Sequence, residues 1–321
     1  MNIVFNTTDP HAPCSLFYTE ALSGLSEVKF YDQEIYKYDI ALFMTYDYNY
    51  IEKFKKAYPS VKIGMIDPRS YRVAEATQHC DFLVVDSVEM EDYWRQSKKP
   101  IFRYVEYPNI PYIDKEHKNN DTIKIGYHGN LIHLECMAET ATIALSNLGK
   151  KYDIEFVVMH NRSQPIGTEK WYPKNVKVTH VPWSMENYVT QLAQCDIGLA
   201  PNNMIHNVDQ MRLSETNNNF NFSEDDYSIR FKMPSNPGRY VVFGRLGIPT
   251  IADFYPSALR YLTDDRGMVA HSACGWEYCI EKLINDIELR KTLSKNLKNF
   301  VKKEWDFSVQ NKKFLNFLGN L

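Results

Sequence analysis

Ile123-Lys124-Ile125-Gly126-Tyr127-His128-Gly129-Asn130-Leu131 is the stretch whose reading decides the fold. Ile123–Tyr127 is short, apolar and rich in β-branched and aromatic residues, which reads as a strand. Gly129 follows it, and a residue without Cβ allows a tight turn or a close backbone approach to a ligand. Apolar residues at helical spacing predict a long helix over His133–Leu148, and Ile154–Met159 reads as the next strand. Strand, turn, helix, strand is the repeating unit of a parallel sheet with helices on its faces.

Toward the C-terminus the alternation continues with strand Val176–Val181, helix Met185–Gln194 and strand Asp196–Ala200. Past an insertion come helix Arg239–Leu246, strand Pro249–Ala252, helix Pro256–Leu262, strand Gly267–Ala270 and a helical region from Trp276 onward. Toward the N-terminus, Asn2–Asn6, Asp39–Thr45, Val61–Ile66, Phe82–Val85 and Ile101–Val105 read as strands, with helices at Ser15–Leu25, Tyr50–Ala57 and Val88–Gln96. Continuous apolar runs of this kind suit strands covered on both faces. Tyr107-Pro108-Asn109-Ile110-Pro111 and the charged stretch Asp114–Asp121 interrupt the pattern with the Pro and polar content of a linker. The chain is therefore read as two consecutive doubly wound α/β domains, residues 1–108 and 122–303, joined by linker 109–121 and followed by a terminal helix over 304–321. The insertion, Asn202 to Ser228, includes Asn217-Asn218-Asn219 and Glu224-Asp225-Asp226, a composition that fits either a lid or a mobile segment.

Composition narrows the class. With 321 residues, the length suits two domains with separate cores. Hydrophobic content of 44% and charged content of 24% exclude wholesale disorder. The 37 Lys+Arg nearly balance the 40 Asp+Glu, for a net charge of −3, so broad nucleic-acid binding is not expected. No apolar run reaches the ~18–20 residues of a membrane-spanning helix. Met1 to Phe5 lacks the basic flank of a signal peptide, and a cytoplasmic location is expected. Lys53–Lys56 and Lys98-Lys99 are small basic clusters that would permit peripheral contact with anionic lipid, though a solvated surface explains them as well. The six cysteines are scattered, without C-x-x-C or zinc-finger spacing, so reduced thiols are expected. No P-loop, G-x-S-x-G or H-E-x-x-H is present.

Several segments, in order, resemble the GT-B glycosyltransferases. Cys80-Asp81-Phe82-Leu83-Val84-Val85-Asp86-Ser87 is similar to the family's late N-terminal strand, and Tyr107-Pro108-Asn109-Ile110-Pro111-Tyr112-Ile113-Asp114 to its interdomain linker. Ile125 to Leu131 resembles the first strand and glycine turn of the donor domain, and Cys195 to Pro201 a later strand. Lys232 to Asp253, with Ser235-Asn236, Arg239 and Gly247-Ile248-Pro249-Thr250, resembles the donor helix and its following strand. The resemblance runs from about residue 80 to 270. It implies two Rossmann-like domains facing a cleft, with helix 304–321 returning onto the first. It also implies transfer of a sugar from a nucleotide-activated donor to a glycan or lipid-linked acceptor, with no metal or other cofactor beyond the nucleotide-sugar co-substrate.

A sugar nucleotide's diphosphate needs cations and free backbone N–H groups. Pro234-Ser235-Asn236-Pro237 ahead of the Arg239 helix fits, with Ser235 or Asn236 as cap and Arg230, Lys232 and Arg239 as phosphate ligands. Gly129 and Asn130 are the expected facing turn. The chain departs from the resemblance here. The commonest retaining members place Arg and Lys where Asn130 and Glu135 stand, and a pair of Glu where Pro234 and Val242 stand. Pro182 and Trp183 occupy the expected nucleobase position, where the Trp ring would either stack on a base or pack the next helix. His160 and Arg162 are candidate rim contacts. Asp67, in Asp67-Pro68-Arg69, and Asp9 with His11, in Thr7-Thr8-Asp9-Pro10-His11, are the candidate catalytic residues, since each follows a strand and an inverting transfer needs a base. An Asp before Pro also shapes turns. Arg69 is an alternative anion ligand. The competing readings are a nucleotide-sugar epimerase or hydrolase of the same architecture, and a non-catalytic binding protein that kept the fold.

Overall fold

Two six-stranded sheets, in which every neighbouring pair of strands is parallel, organise the chain in a computed structural model. It describes residues 1–69, 71–129, 134, 137–160, 171–202 and 237–321. Among these, residues 1–109 with 304–321 form one compact unit and 110–202 with 237–303 a second.

The first unit runs β1 (Ile3–Thr7), α1 (Pro13–Leu22), β2 (Val28–Phe30), β3 (Ile40–Met44), α2 (Tyr48–Ala57), β4 (Lys62–Ile66), α3 (Tyr71–Ala76), β5 (Phe82–Val85), α4 (Val88–Trp94) and β6 (Ile101–Arg103). The second runs β7 (Thr122–His128), α5 (Ala141–Leu148), β8 (Asp153–His160), β9 (Lys177–Pro182), α6 (Met185–Thr190), β10 (Ile197–Ala200), α7 (Gly238–Arg245), β11 (Thr250–Asp253), α8 (Pro256–Leu262), β12 (Met268–Ala270), α9 (Ala273–Asn285) and α10 (Ile287–Glu304). The last helix, α11 (Phe307–Gly319), belongs to the first unit.

Every residue of β1, β3, β5, β10 and β11 is buried, which is why β3, β5 and β10 appear in the sequence as unbroken apolar runs. Short polar side chains start the helices between them. Asp47, Ser87, Ser184 and Ser272 each accept a bond from a backbone N–H of the turn they open. Of the helix expected over His133–Leu148, the described residues show Leu134 in helix and regular helix over Ala141–Leu148. Thr140 and Thr142 both donate their backbone N–H to Met137 O, closing turns ahead of α5, and regular helix begins at Ala141. The three-residue β2 and the short α3 have no counterpart in the sequence reading.

Helix α11 is held to the first sheet by rings and by two buried amides. Phe314 lies 5.0 Å from Phe102 and 5.7 Å from Tyr104, and Phe317 lies 5.7 Å from Phe82. Burying one such ring is worth ~1.5–3 kcal/mol. Asn311 donates to Ala21 O and accepts from the Tyr104 hydroxyl, while Gln310 bonds both backbone groups of Val105.

The strand orders locate the binding edges. The first sheet is ordered β2-β1-β3-β4-β5-β6, so the chain reverses direction across the sheet between β1 and β3. The second is ordered β12-β11-β10-β7-β8-β9, the Rossmann order, with its reversal between β7 and β10. Ligands of open parallel sheets bind outside the carboxyl ends of the strands at such a reversal. Among the described residues no helix is long and apolar enough to cross a membrane.

Candidate functional site

In the second unit, the carboxyl ends of β7 and β10 and the start of α7 converge. Gly129, just past β7, has φ +140°, a backbone state that side chains resist. A Cβ there would lie 3.0 Å from the Tyr127 hydroxyl and 3.3 Å from Arg239 Nε. Arg239, in the first turn of α7, is buried, and its Nη1 donates to Pro201 O at 2.7 Å, just past β10. No carboxylate among the described residues pairs with it. The buried Asp253 feels the Arg239 charge, which lowers its pKa against the effect of burial, and a desolvated guanidinium held by a neutral carbonyl favours a further anion.

Two neighbours shape this site. His128 packs edge-on to Tyr188 and Phe243, and burial, reinforced by the Arg239 charge, holds its pKa down to about 3. The imidazole is therefore neutral and adds no second cation. Asp253, ending β11, accepts from the Asn202 backbone N–H at 2.6 Å and from Trp276 Nε1 at 3.1 Å. Burial pushes its pKa up to about 7. This carboxylate ties the chain leaving β10 to the neighbouring strand. The sequence reading missed it, although a carboxylate closing the apolar run Thr250-Ile251-Ala252 was the available signal.

Other expected residues are placed differently. α7 begins at Gly238 with Pro237 in the cap position. Pro182 ends β9, and the half-buried Trp183 donates Nε1 to the Tyr188 hydroxyl at 3.1 Å, an engagement with α6. His160 is not a rim residue. It is buried and pairs with His180 at 3.1 Å. Asn130, Glu135, Arg162, Arg230, Lys232, Pro234, Ser235, Asn236 and the insertion beyond Asn202 lie outside the described residues.

In the first unit, the reversal between β1 and β3 is lined by hydroxyls. Thr7 Oγ1 lies 3.2 Å from Ser15 Oγ and 3.1 Å from Thr45 Oγ1, which lies 2.6 Å from Thr8 Oγ1. Asp9 and His11 sit beside them but are exposed, and Asp9 accepts from the His11 backbone N–H, the local bond of a turn. Asp67, past β4, has φ +51° and pairs with Arg69, which also binds the fully buried Asp86 past β5. Arg69 is therefore committed to two carboxylates, contrary to its expected role as a ligand for an anionic acceptor.

Glu106, past β6, completes this cluster. Burial chiefly, opposed by Arg69, moves Asp86 up to about 7. Burial, then the Asp67 charge, moves Glu106 up to about 8. Three carboxylates around one guanidinium would carry −2 if all were ionised, so burial makes the cluster retain protons near neutrality. Asp67, at 13% side-chain exposure, is the cluster's outlet to solvent, while Asp86 is fully enclosed. Among the described residues no group of His, Cys, Asp and Glu is arranged to hold a metal ion.

No protein-family model matches the chain, and no curated protein matches its sequence. Solved structures do. HepE of Anabaena in complex with UDP and glucose superposes with a TM-score of 0.65 at 12% identity, covering 100% of both chains. Sucrose-phosphate synthase from Thermosynechococcus elongatus gives 0.65 at 8% identity over 100% of this chain and 99% of that one. A glycosyltransferase from Rickettsia africae gives 0.64 at 10% identity with the same coverage. Against TarM, the chain aligns over 87% of its own length but spans only 54% of that protein. The parallel sheets, their strand orders and these superpositions together show that the chain has the two-domain α/β architecture of the GT-B fold.

Proposed function

We propose that the protein is a glycosyltransferase that moves a sugar from a nucleoside-diphosphate donor to a glycan or lipid-linked acceptor. The observation that carries this reading is the buried Arg239 guanidinium against Gly129, at the strand reversal where parallel sheets bind ligands. The diphosphate would take the guanidinium donors not spent on Pro201 O, and Gly129 leaves room for it. UDP, bound by the similar HepE and by the co-crystallised MnaA of S. aureus, supports a uridine nucleotide as the first to test.

In transfer, the bond from the anomeric carbon to the diphosphate breaks and a bond to the acceptor oxygen forms. The diphosphate leaves with the electron pair, and the acceptor loses a proton. We assign that proton to Asp67, the solvent-facing member of the carboxylate cluster, with the Thr7, Thr8 and Thr45 hydroxyls as hydrogen-bond partners of the acceptor. Calorimetric titration with UDP tests the reading. Arg239→Ala should weaken binding about 10- to 150-fold, the worth of a hydrogen bond to a charged group. No uptake of UDP or other sugar nucleotides, or equal affinity in wild type and Arg239→Ala, refutes it.

A further inference from the structure

Beyond the amino ends of β7 and β11, at the other end of α7 from Arg239, residues 114–117 run beside α10 and line a surface cavity of about 280 Å³. Lys115, His117, Lys291, Ser294, Lys295 and Lys298 line it. Its walls are fixed by the backbone. Ile113 N–H donates to Arg245 O at 2.7 Å, and Gly247, at φ +68°, lets the segment lie so close that a Cβ would come within 2.9 Å of Ile113 O. His117 forms the floor, buried, with Nε2 3.0 Å from Ser294 Oγ.

The charges are unbalanced. Lys291, Lys295 and Lys298 are spaced i, i+4, i+7, so they share one face of α10 over ~10 Å. Asp114 and Glu116 also line the cavity, so two acids face four lysines there, and these acids and the neighbouring Glu288 are largely in water. Asp114 pairs with Lys298, Glu116 with Lys118 and Glu288 with Lys291, at 98%, 76% and 76% side-chain exposure, where an ion pair is weak. Behind the wall lies Arg290, fully buried, 3.6 Å from Asp196. Burial lowers the pKa of three of these groups. Lys115 is lowered with Arg290 and Lys124 among the causes, and His117 falls to about 4 under Lys115 and Arg290. Arg290 is lowered by burial against the pull of Asp196. A bound anion would oppose each of these shifts.

We propose that this groove binds an anion carrying two phosphoryl groups, at a site separate from the Gly129–Arg239 site. Lysine ammonium groups serve as point-charge phosphate binders, and three of them strung over ~10 Å exceed the reach of a single phosphate. The diphosphate belongs to a soluble metabolite or to neighbouring lipid headgroups, two sources with the same chemistry. Neither source depends on the glycosyltransferase reading.

The test uses the full chain in an Arg239→Ala background, which weakens the other anion site. Inorganic pyrophosphate is titrated by calorimetry, and binding to phosphatidylglycerol vesicles is compared with phosphatidylcholine alone. Combined Lys291→Gln, Lys295→Gln and Lys298→Gln should weaken the bound probe about tenfold. His117, followed by NMR, should titrate at higher pH when the probe is saturating. Pyrophosphate binding lost in the triple variant assigns the soluble source, and vesicle binding alone, lost likewise, assigns the headgroup. No binding of either probe, or binding indifferent to the three lysines and to His117, overturns the proposal.

Discussion

Replacing Glu106 with Gln removes one titrating group from the buried cluster of Asp67, Arg69, Asp86 and Glu106 at nearly constant shape. In the folded state Glu106 and Asp86 hold protons that the unfolded chain, ionising near pH 4, releases. A raised native pKa contributes stability that is fully present below the unfolded pKa and is lost as pH rises through the folded one. The first unit should therefore lose stability as pH rises from 5 to 7. Each retained proton contributes a slope of ~1.4 kcal/mol per pH unit, so one or two protons give ~1.4–2.7. Glu106→Gln should flatten the wild-type slope by about 1.4 kcal/mol per pH unit. Hydrogen exchange of the β4 and β5 amides in the full chain, at pH 5, 6 and 7 with intrinsic rates corrected, reads this unit alone. Superimposable slopes for wild type and variant, or a wild type that gains stability over this range, would refute the charge assignment.

Further expectations concern the second unit. Trp276→Phe deletes the 3.1 Å bond to the buried Asp253 and should cost ~1–3 kcal/mol in thermal unfolding, while NMR titration of Asp253 moves further up; an unchanged midpoint contradicts the role given to that bond. Gly247→Ala forces a side chain into φ +68° and against Ile113 O, and should destabilise by ~1–3 kcal/mol, checked by urea unfolding. His117 has the opposite sign to Glu106. Its depressed pKa withdraws stability as pH falls from about 6.5 toward 4, so His117→Gln should soften acid unfolding, as circular dichroism can follow.

Strands covered on both faces were the most legible feature. Phe82–Val85 and Ile40–Met44 carry buried residues at every position, so composition alone marks them. β2 escaped because three residues, with one buried, carry no pattern. Within the helix read over 133–148, apolar spacing does not reveal the turns at Met137–Thr140 that precede α5. At the sites, a glycine after a strand and an arginine opening a helix were readable as candidates. Asp86 and Glu106 were not singled out, since each looks like a carboxylate beyond a strand. Their shared charge problem arises only when parallel registry brings the ends of β4, β5 and β6 to one level.

The amino-acid order by itself determined two successive parallel α/β domains, because burial on both faces of a strand leaves a local, contiguous signature. Tertiary structure alone decided which charges stand together: Arg239 with Gly129, three carboxylates with Arg69, and α10 lysines with His117. Electrostatic environment depends on distance and desolvation, and both are set by chain crossings between residues remote in sequence.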